Sequence, residues 1–408
     1  MTDTTTSSQN IFRIQPAYNR LFLLFLFPVV CFFTGLLSYG DDWPVSRGNP
    51  ASTALATGKI PEQPKVLWQF KTENAKSGFE GTPVIADSRI FVGDFEGVLH
   101  AIELKTGKEL WTANINKLNE SSQSKSVIGF MSAAAVNQGK VVIGDFNGKV
   151  YCFEASNGKH VWTYEIDQQV ASGANFYGNS ALVTSESGSM FALDLNTGEL
   201  KWSYATGDQL RSSPTIWKTF SLLGGCDGRL HKIDLDSGMA VGDGIALEAP
   251  TLSTPSVIGN IAIVPTQPGV VLAIDVSTNK VHWTFADQAI SSDIRSSPAT
   301  QGKMDGDLLI GITVVTTKNR RVLGLNLENG NVVWETVLKK RCDNSPVICD
   351  GRAWVASVDG MVYAIDIKNG EEKWSYQLQG QILASPAIAD GKIIVATEKG
   401  SIVCFGQE

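Results

Sequence analysis

Apolar positions in this chain fall into short runs, typically four to six residues long, broken by polar and glycine-rich stops. RIFVGD (89–94), VVIGDF (141–146) and VYAIDI (362–367) are examples. From residue 65 onward no stretch sustains the 3.6-residue period of an amphipathic helix. The runs have the length and branched-aliphatic content of half-buried strands. Three landmarks repeat between them. Ser/Thr-Pro opens a short apolar run at Thr82-Pro83, Ser213-Pro214, Thr254-Pro255, Ser297-Pro298, Ser345-Pro346 and Ser385-Pro386, and Ser132-Ala133 and Gly173-Ala174 fill the same slot in two further repeats. A polar-Gly pair follows, as at Glu96-Gly97 or Asp359-Gly360. Then comes a turn of the form Asp-x-x-x-Gly, four residues ahead of a Trp.

The last landmark occurs seven times. It reads ELKTGKELW (103–111), EASNGKHVW (154–162), DLNTGELKW (194–202), DLDSGMAVG (234–242), DVSTNKVHW (275–283), NLENGNVVW (326–334) and DIKNGEEKW (366–374), with Gly242 where the fourth Trp is expected. Asp and Asn brace such turns with their own side chains, and Gly supplies φ > 0. Each repeat therefore predicts strand a after Ser-Pro, strand b, a glycine turn, strand c, the Asp turn, and strand d carrying Trp. Four short strands at a period of 40 to 51 residues predict a β-propeller blade. There are eight a-b-c triplets. The last (384–405) has no strand d after it, whereas KVLWQF around Trp68 stands alone at the front. Pairing the two closes the ring and removes both open edges. The expected fold is all-β, an eight-bladed propeller of four-stranded antiparallel blades over 65–408, closed by an N-terminal strand and preceded by an extended leader at 41–64.

The Ala-x-Asp-x-x-Thr-Gly-x-x-x-Trp repeats resemble the tryptophan-docking repeats of the quinoprotein-type, pyrroloquinoline-quinone-like propeller family, over essentially all of 65–405. Trp43-Pro44-x-x-Arg47-Gly48 also resembles the segment that precedes such propellers in exported bacterial proteins. The resemblance implies that Trp68, Trp111, Trp162, Trp202, Trp283, Trp334 and Trp374 are structural, each packing on the neighbouring blade. It also implies two functional branches. One is quinone- and calcium-dependent dehydrogenases, generally longer chains. The other is non-enzymatic propellers similar to the B-component lipoprotein of the outer-membrane barrel assembly machinery, whose size and compact blades match better.

Composition and local motifs change this picture at four points. Residues 21–37 (LFLLFLFPVVCFFTGLL) are apolar and uncharged, with Arg13 and Arg20 before them and Asp41 and Asp42 after. This predicts a signal peptide or signal anchor over 1–40, and so a periplasmic or membrane-anchored domain facing away from the cytoplasm. The net charge of −7 and the lack of any Lys/Arg run of five exclude a general nucleic-acid binder. No Cys-x-x-Cys occurs, and the chain has four His, so a zinc site is not expected. Lys303-Met304-Asp305-Gly306-Asp307 lacks the leading carboxylate of a calcium loop and reads as a turn.

Candidate chemistry comes from the alignment of the repeats. Three residues before each Pro slot the chain carries Glu80, Phe130, Ala171, Arg211, Leu252, Arg295, Asp343 and Leu383. Four are charged, and all should stand at the entrance to strand a, around one mouth of the central channel, together with the polar loop at 113–129. Arg suits bidentate capture of carboxylates. Glu80, Arg211, Arg295 and Asp343 are therefore the candidate binding residues, unless the ring merely neutralises itself. No nucleophile-base pair accompanies them, so binding without turnover is expected. The expected function is a non-enzymatic binding or scaffold propeller for a protein or peptide in the cell envelope, possible membrane attachment running through 21–37, with no cofactor. The alternatives are a quinone- and calcium-dependent dehydrogenase and a ligand-sensing domain on a membrane anchor.

Overall fold

The computed structural model describes residues 42–73, 77–118, 128–166, 168–286, 293–306 and 308–407. The apolar segment 21–37, most of the polar loop 113–129 and Asp307 lie outside the described residues. The fold is an eight-bladed β-propeller, each blade a four-stranded antiparallel sheet in the order a-b-c-d. Blade 7 is representative: Val347–Cys349, Arg352–Ala356, Met361–Asp366 and Glu372–Gln377. Strand a is three residues long and wholly buried there, whereas strand d is largely exposed and buries only Trp374. That gradient matches a ring with its core at the centre and its outer strands at the rim.

Blade 8 is assembled from both ends of the domain. Lys65–Lys71 pairs antiparallel with Ser401–Gly406, setting Trp68 opposite Cys404 and Phe70 opposite Ile402. The ring thus closes by hydrogen bonds between strands more than 300 residues apart in the chain.

The polar-Gly pairs are the b-to-c turns. In blade after blade the residue that follows strand d donates its N–H to that glycine's carbonyl, as Ile115 to Gly97, Ile166 to Gly148 and Leu378 to Gly360. This bond places the d-to-a and b-to-c connections on one face. The Ser/Thr-Pro motif acts between blades. The Ser213 N–H donates to Thr254 Oγ1 (2.9 Å), the Thr254 N–H to Ser297 Oγ (2.9 Å), the Ser297 N–H to Ser345 Oγ (2.8 Å) and the Ser345 N–H to Ser385 Oγ (3.0 Å). A hydroxyl at this position accepts the preceding blade's N–H, and the following proline has no donor to leave unmatched.

Residues 43–56 lie inside the ring, and 57–59 emerge into solvent. Trp43 pairs with Ile85 of blade 1, and the Pro44 carbonyl accepts the Val136 N–H of blade 2. Pro50 accepts from Ile216 of blade 4, Ala51 from Val257 of blade 5, Thr53 from Thr300 of blade 6 and Ala54 from Ile348 of blade 7. The segment makes one circuit along the inner edges of the a strands. It satisfies backbone groups that would otherwise line a channel. Gly48, at φ +80°, carries no Cβ because the Trp43 ring fills that space 2.6 Å from where a Cβ would stand.

Removing residues 41–70 strips the inner lining and the closing strand together. The truncated chain is expected to lose several kcal/mol of stability, as for an unpaired sheet edge with a lost core Trp. An unchanged urea-unfolding curve would reject this account of closure.

Candidate functional site

The motif Trp residues hold each blade to the next. The Trp68 Nε1–H donates to the Leu104 carbonyl of blade 1 (3.1 Å), Trp111 to Ala155 (3.1 Å), Trp162 to Leu195 (2.9 Å), Trp202 to Leu235 (3.1 Å), Trp283 to Leu327 (2.7 Å) and Trp334 to Ile367 (2.6 Å). Each acceptor directly follows the first residue of the next blade's Asp-x-x-x-Gly turn. The indole lies over that turn's glycine: a Cβ on Gly107, Gly158, Gly198, Gly238, Gly330 or Gly370 would stand 2.5 to 2.8 Å from the arriving ring. Trp374 faces blade 8, which has no covalent c-to-d turn, and it packs edge-on against Trp354 and Phe405 instead.

The seam from blade 4 to blade 5 uses different chemistry. Gly242 sits in a small loop, and strand d of blade 4 is reduced to Ile245–Ala246. Lys232, on strand c, reaches across in place of an indole. Its Nζ donates to the Val276 carbonyl (3.0 Å) and to Asn279 Oδ1 (3.1 Å), where Asn279 occupies the usual glycine position at φ 60°. Lys232 is missed by the motif reading, although the slot does signal it. The equivalents are Ala101, Cys152, Ala192, Ala273, Gly324, Ala364 and Cys404, all small because their own blade's Trp pairs opposite them. Without a Trp, a long side chain fits. Cys152 and Cys404 are fully buried, and burial pushes both thiols up to about 12.

The four charged residues all lie in the d-to-a segments, on the face that also carries the b-to-c turns. They do not pair with one another. Arg211 Nε meets Glu186 Oε1 of blade 3 at 2.9 Å. Arg295 approaches Asp293 at 3.6 Å, and Asp293 also takes Lys318 Nζ at 3.1 Å. Asp343 Oδ2 receives Arg341 Nε at 3.1 Å, while its Oδ1 is buried without a hydrogen bond. Glu80 differs. It is half-buried, and neither a hydrogen bond nor an ion pair reaches it among the described residues. Burial raises its carboxyl above the usual range.

Arg47 stands at the centre of the ring. It is 4% exposed, and its Nη2 donates to the carbonyls of Pro346 (2.9 Å), Pro298 (3.1 Å) and Ser297 (3.4 Å). Burial lowers its pKa to about 9, which leaves it cationic at neutral pH. Calcium requires six to eight oxygen ligands, carboxylates above all. This centre offers hydroxyls already engaged between blades and a guanidinium whose Nε and Nη1 are buried without a hydrogen bond, and no group of three or more His, Cys, Asp or Glu stands ready to hold a metal ion among the described residues. His100 and His231 sit in separate blades. His100 is held by Asp94 (3.2 Å) and Glu109 (2.7 Å), and His231 by Asp227 (2.8 Å) and Tyr204 (3.0 Å).

The unpaired Glu80 gives a pH signature. Its folded pKa is raised, so its ionised form opposes folding once the pH rises through that value. Glu80→Gln is expected to raise the melting temperature at pH 7 and to have no such effect near pH 3, where the wild-type carboxyl is also neutral. Equal shifts at both values would show that its surroundings do not depend on charge.

Comparison with known proteins agrees with this architecture. The family profile described as outer membrane protein assembly factor BamB (PQQ_2) matches residues 60–129, 120–244, 244–347 and 318–408. The curated relatives match locally. The 1-butanol dehydrogenase (cytochrome c) of Thauera butanivorans is 30% identical over 128 residues, covering 30% of this chain and 18% of the enzyme. The outer membrane protein assembly factor BamB of Salmonella typhimurium is 26% identical over 111 residues, 27% of this chain and 28% of that protein. This chain therefore spans less than a third of the length of either relative. Among solved structures, BamB from Moraxella catarrhalis superposes with a TM-score of 0.66 at 18% identity, over 85% of this chain and 98% of that one. A europium-containing methanol dehydrogenase gives 0.72 at 13% identity, over 90% and 98%. These two share the fold. With its repeats matched from residue 60 to the end, the chain belongs to the BamB-like PQQ_2 family of repeat propellers.

Proposed function

We propose that this chain is a non-catalytic propeller outside the cytoplasm that holds polypeptide partners during assembly of cell-envelope proteins, with Glu80, Arg211, Arg295 and Asp343 forming a docking rim. The observation that carries the reading is the lining of the ring by the chain's own residues 43–56. A ligand approaching the charged mouth meets, among the described residues, a centre lined by this buried segment, an arrangement that suits seating a protruding segment better than enclosing a substrate. The BamB-like family membership supports a scaffold role, and the printed name of the Salmonella relative is the source of the assembly context. Glu80 adds a chemical preference. A half-buried carboxylate without a partner gains most from a cationic side chain delivered by a bound protein, because the desolvation cost is already met in the free protein. The Arg211–Glu186 and Arg295–Asp293 pairs are 43% and 45% exposed on the arginine side, and exposed pairs of this kind are weak enough to exchange partners. An anchor or cleaved signal at 21–37 is part of the same proposal.

The double variant Arg211→Ala with Arg295→Ala is expected to abolish co-purification of envelope proteins with the full chain while leaving its melting temperature unchanged. Wild-type recovery would remove the mouth from the function. The local likeness to the Thauera butanivorans dehydrogenase defines the opposing outcome: dye-linked alcohol oxidation after addition of the quinone and calcium would replace the scaffold reading with an enzymatic one.

A further inference from the structure

Blade 6 has an outer rim unlike its siblings. Fourteen large apolar side chains stand exposed among the described residues, and six of them (Met304, Leu308, Ile310, Val332, Val333 and Val337) belong to this blade. Its strand d, Val332–Val337, is an unpaired sheet edge. On that strand the solvent-facing positions are Val333, Glu335 and Val337, alternating with Trp334 and Thr336, which turn towards blade 7. Siblings place polar or charged residues at one or both ends of this triplet: Lys201 with Ala205, Lys373 with Gln377, Val161 with Glu165. Only blade 6 has a branched aliphatic at both. Its one charge, Glu335, is held by the Arg321 guanidinium of strand c, with Nε to Oε1 at 2.6 Å and Nη2 on the second oxygen. The lysines, prolines and free charges that normally keep an edge from pairing are missing here.

Two features flank this edge. At its start, strands a and b are lengthened to Ala299–Asp305 and Leu308–Thr316. The Leu327 N–H of the c-to-d turn donates to the Gly311 carbonyl, which sets the lengthened strands beside the end where Val332 and Val333 begin. Leu308 and Ile310 are 55% and 45% exposed there. At its far end the chain continues directly into Lys339 and Lys340, both exposed, and the Leu338 N–H bonds to the carbonyl of exposed Arg320. That bond also fixes the alternation along the strand. Residues 334 and 336 turn their backbone groups inward with 338, so the N–H and C=O groups of Glu335 and Val337 face solvent.

We propose that Val332–Val337 is a docking edge for an extended polypeptide segment of a partner protein, added as a fifth strand to blade 6, with apolar alternation along the strand and acidic residues against Arg320, Lys339 and Lys340. Unpaired backbone groups require a polypeptide, since lipid cannot return their hydrogen bonds. The cationic end selects an acidic flank on a chain whose own net charge is −7. A second copy of this chain fits less well. Two convex rims meeting edge to edge touch along a single strand pair, whereas an extended segment can follow the strand from the hairpin to the lysines. The surface is separate from the channel mouth and does not depend on the proposed role of that mouth.

The test uses the full chain and a fluorescently labelled synthetic peptide of alternating valine and threonine that ends in three glutamates. Anisotropy is expected to show saturable binding that weakens with added salt. Hydrogen exchange is expected to slow at the amides of Glu335 and Val337. Val333→Lys with Val337→Lys should weaken binding at least tenfold without altering the melting temperature, since siblings carry Lys at both positions (Lys201 and Lys71). Lys339→Glu with Lys340→Glu should weaken it by a similar factor. Arg211→Ala with Arg295→Ala should leave it unchanged, which keeps this result distinct from a failure at the mouth. Absence of saturable binding overturns the proposal, as does binding indifferent to the valine substitutions. Light scattering that shows a dimer abolished by those same substitutions also overturns it, because the edge would then serve a second copy.

Discussion

The ring depends on one contact, made at six of its eight seams: an indole from strand d laid over the bare glycine of the next blade's turn, its N–H on the neighbouring carbonyl. A propeller blade cannot bury both faces by itself. It needs a neighbour at a fixed spacing and angle, and a large rigid aromatic with a single donor specifies both at once. The contact constrains three positions together: Trp on one strand, glycine on the facing turn, and a small residue opposite the Trp on its own strand c. Where the Trp is lost, at Gly242, the other two positions change as well, to Asn279 and Lys232. At that slot the seam is bridged by an ammonium, beside the Trp217 indole of strand a, whose N–H donates to the Gly259 carbonyl of blade 5. Lys232→Ala should leave the Val276 carbonyl unbonded and cost about 1–3 kcal/mol, against about 3–5 for Trp202→Ala; denaturant unfolding of the two variants compares the seams.

The centre follows from the same geometry. Eight short a strands converge, and their inner edges carry backbone groups that no sheet neighbour can reach. Residues 43–56 supply backbone partners to six of them in one circuit, and Arg47 gathers three carbonyls that the Ser-Pro turns direct inward. The interior is thereby used for cohesion. The charged mouth and the apolar edge of blade 6 both break the blade-to-blade regularity. Function on a repeat scaffold is expected in such departures, because residues common to every blade are explained by packing.

Much of this was legible in the chain. The strand order, the blade number, the closing pair between 65–71 and 401–406 and the seven Trp positions follow from spacing, since a repeat states its own register eight times over. Glu80, Arg211, Arg295 and Asp343 were also placed in the correct segments by alignment alone. Alignment does not say which of them is paired. Arg211 finds Glu186 in the preceding blade and Arg295 finds Asp293 in its own connection, whereas Glu80 finds no partner among the described residues. Those outcomes depend on distances of a few ångströms between segments remote in sequence.

The sequence by itself determined the local units, because turn chemistry and the alternation of apolar positions act over a few residues and repeat. Only the tertiary structure decided the course of residues 43–60, since a segment without strand periodicity has no partner until eight inner edges surround it. The same holds for Lys232 and for the edge of blade 6. A lysine on a strand looks solvent-facing until the missing indole opens its path to Val276, and Val333 and Val337 look like any half-buried pair. Their exposure arises because Val332–Val337 is the last strand of its sheet and Arg321 draws back the one charge that would have guarded it.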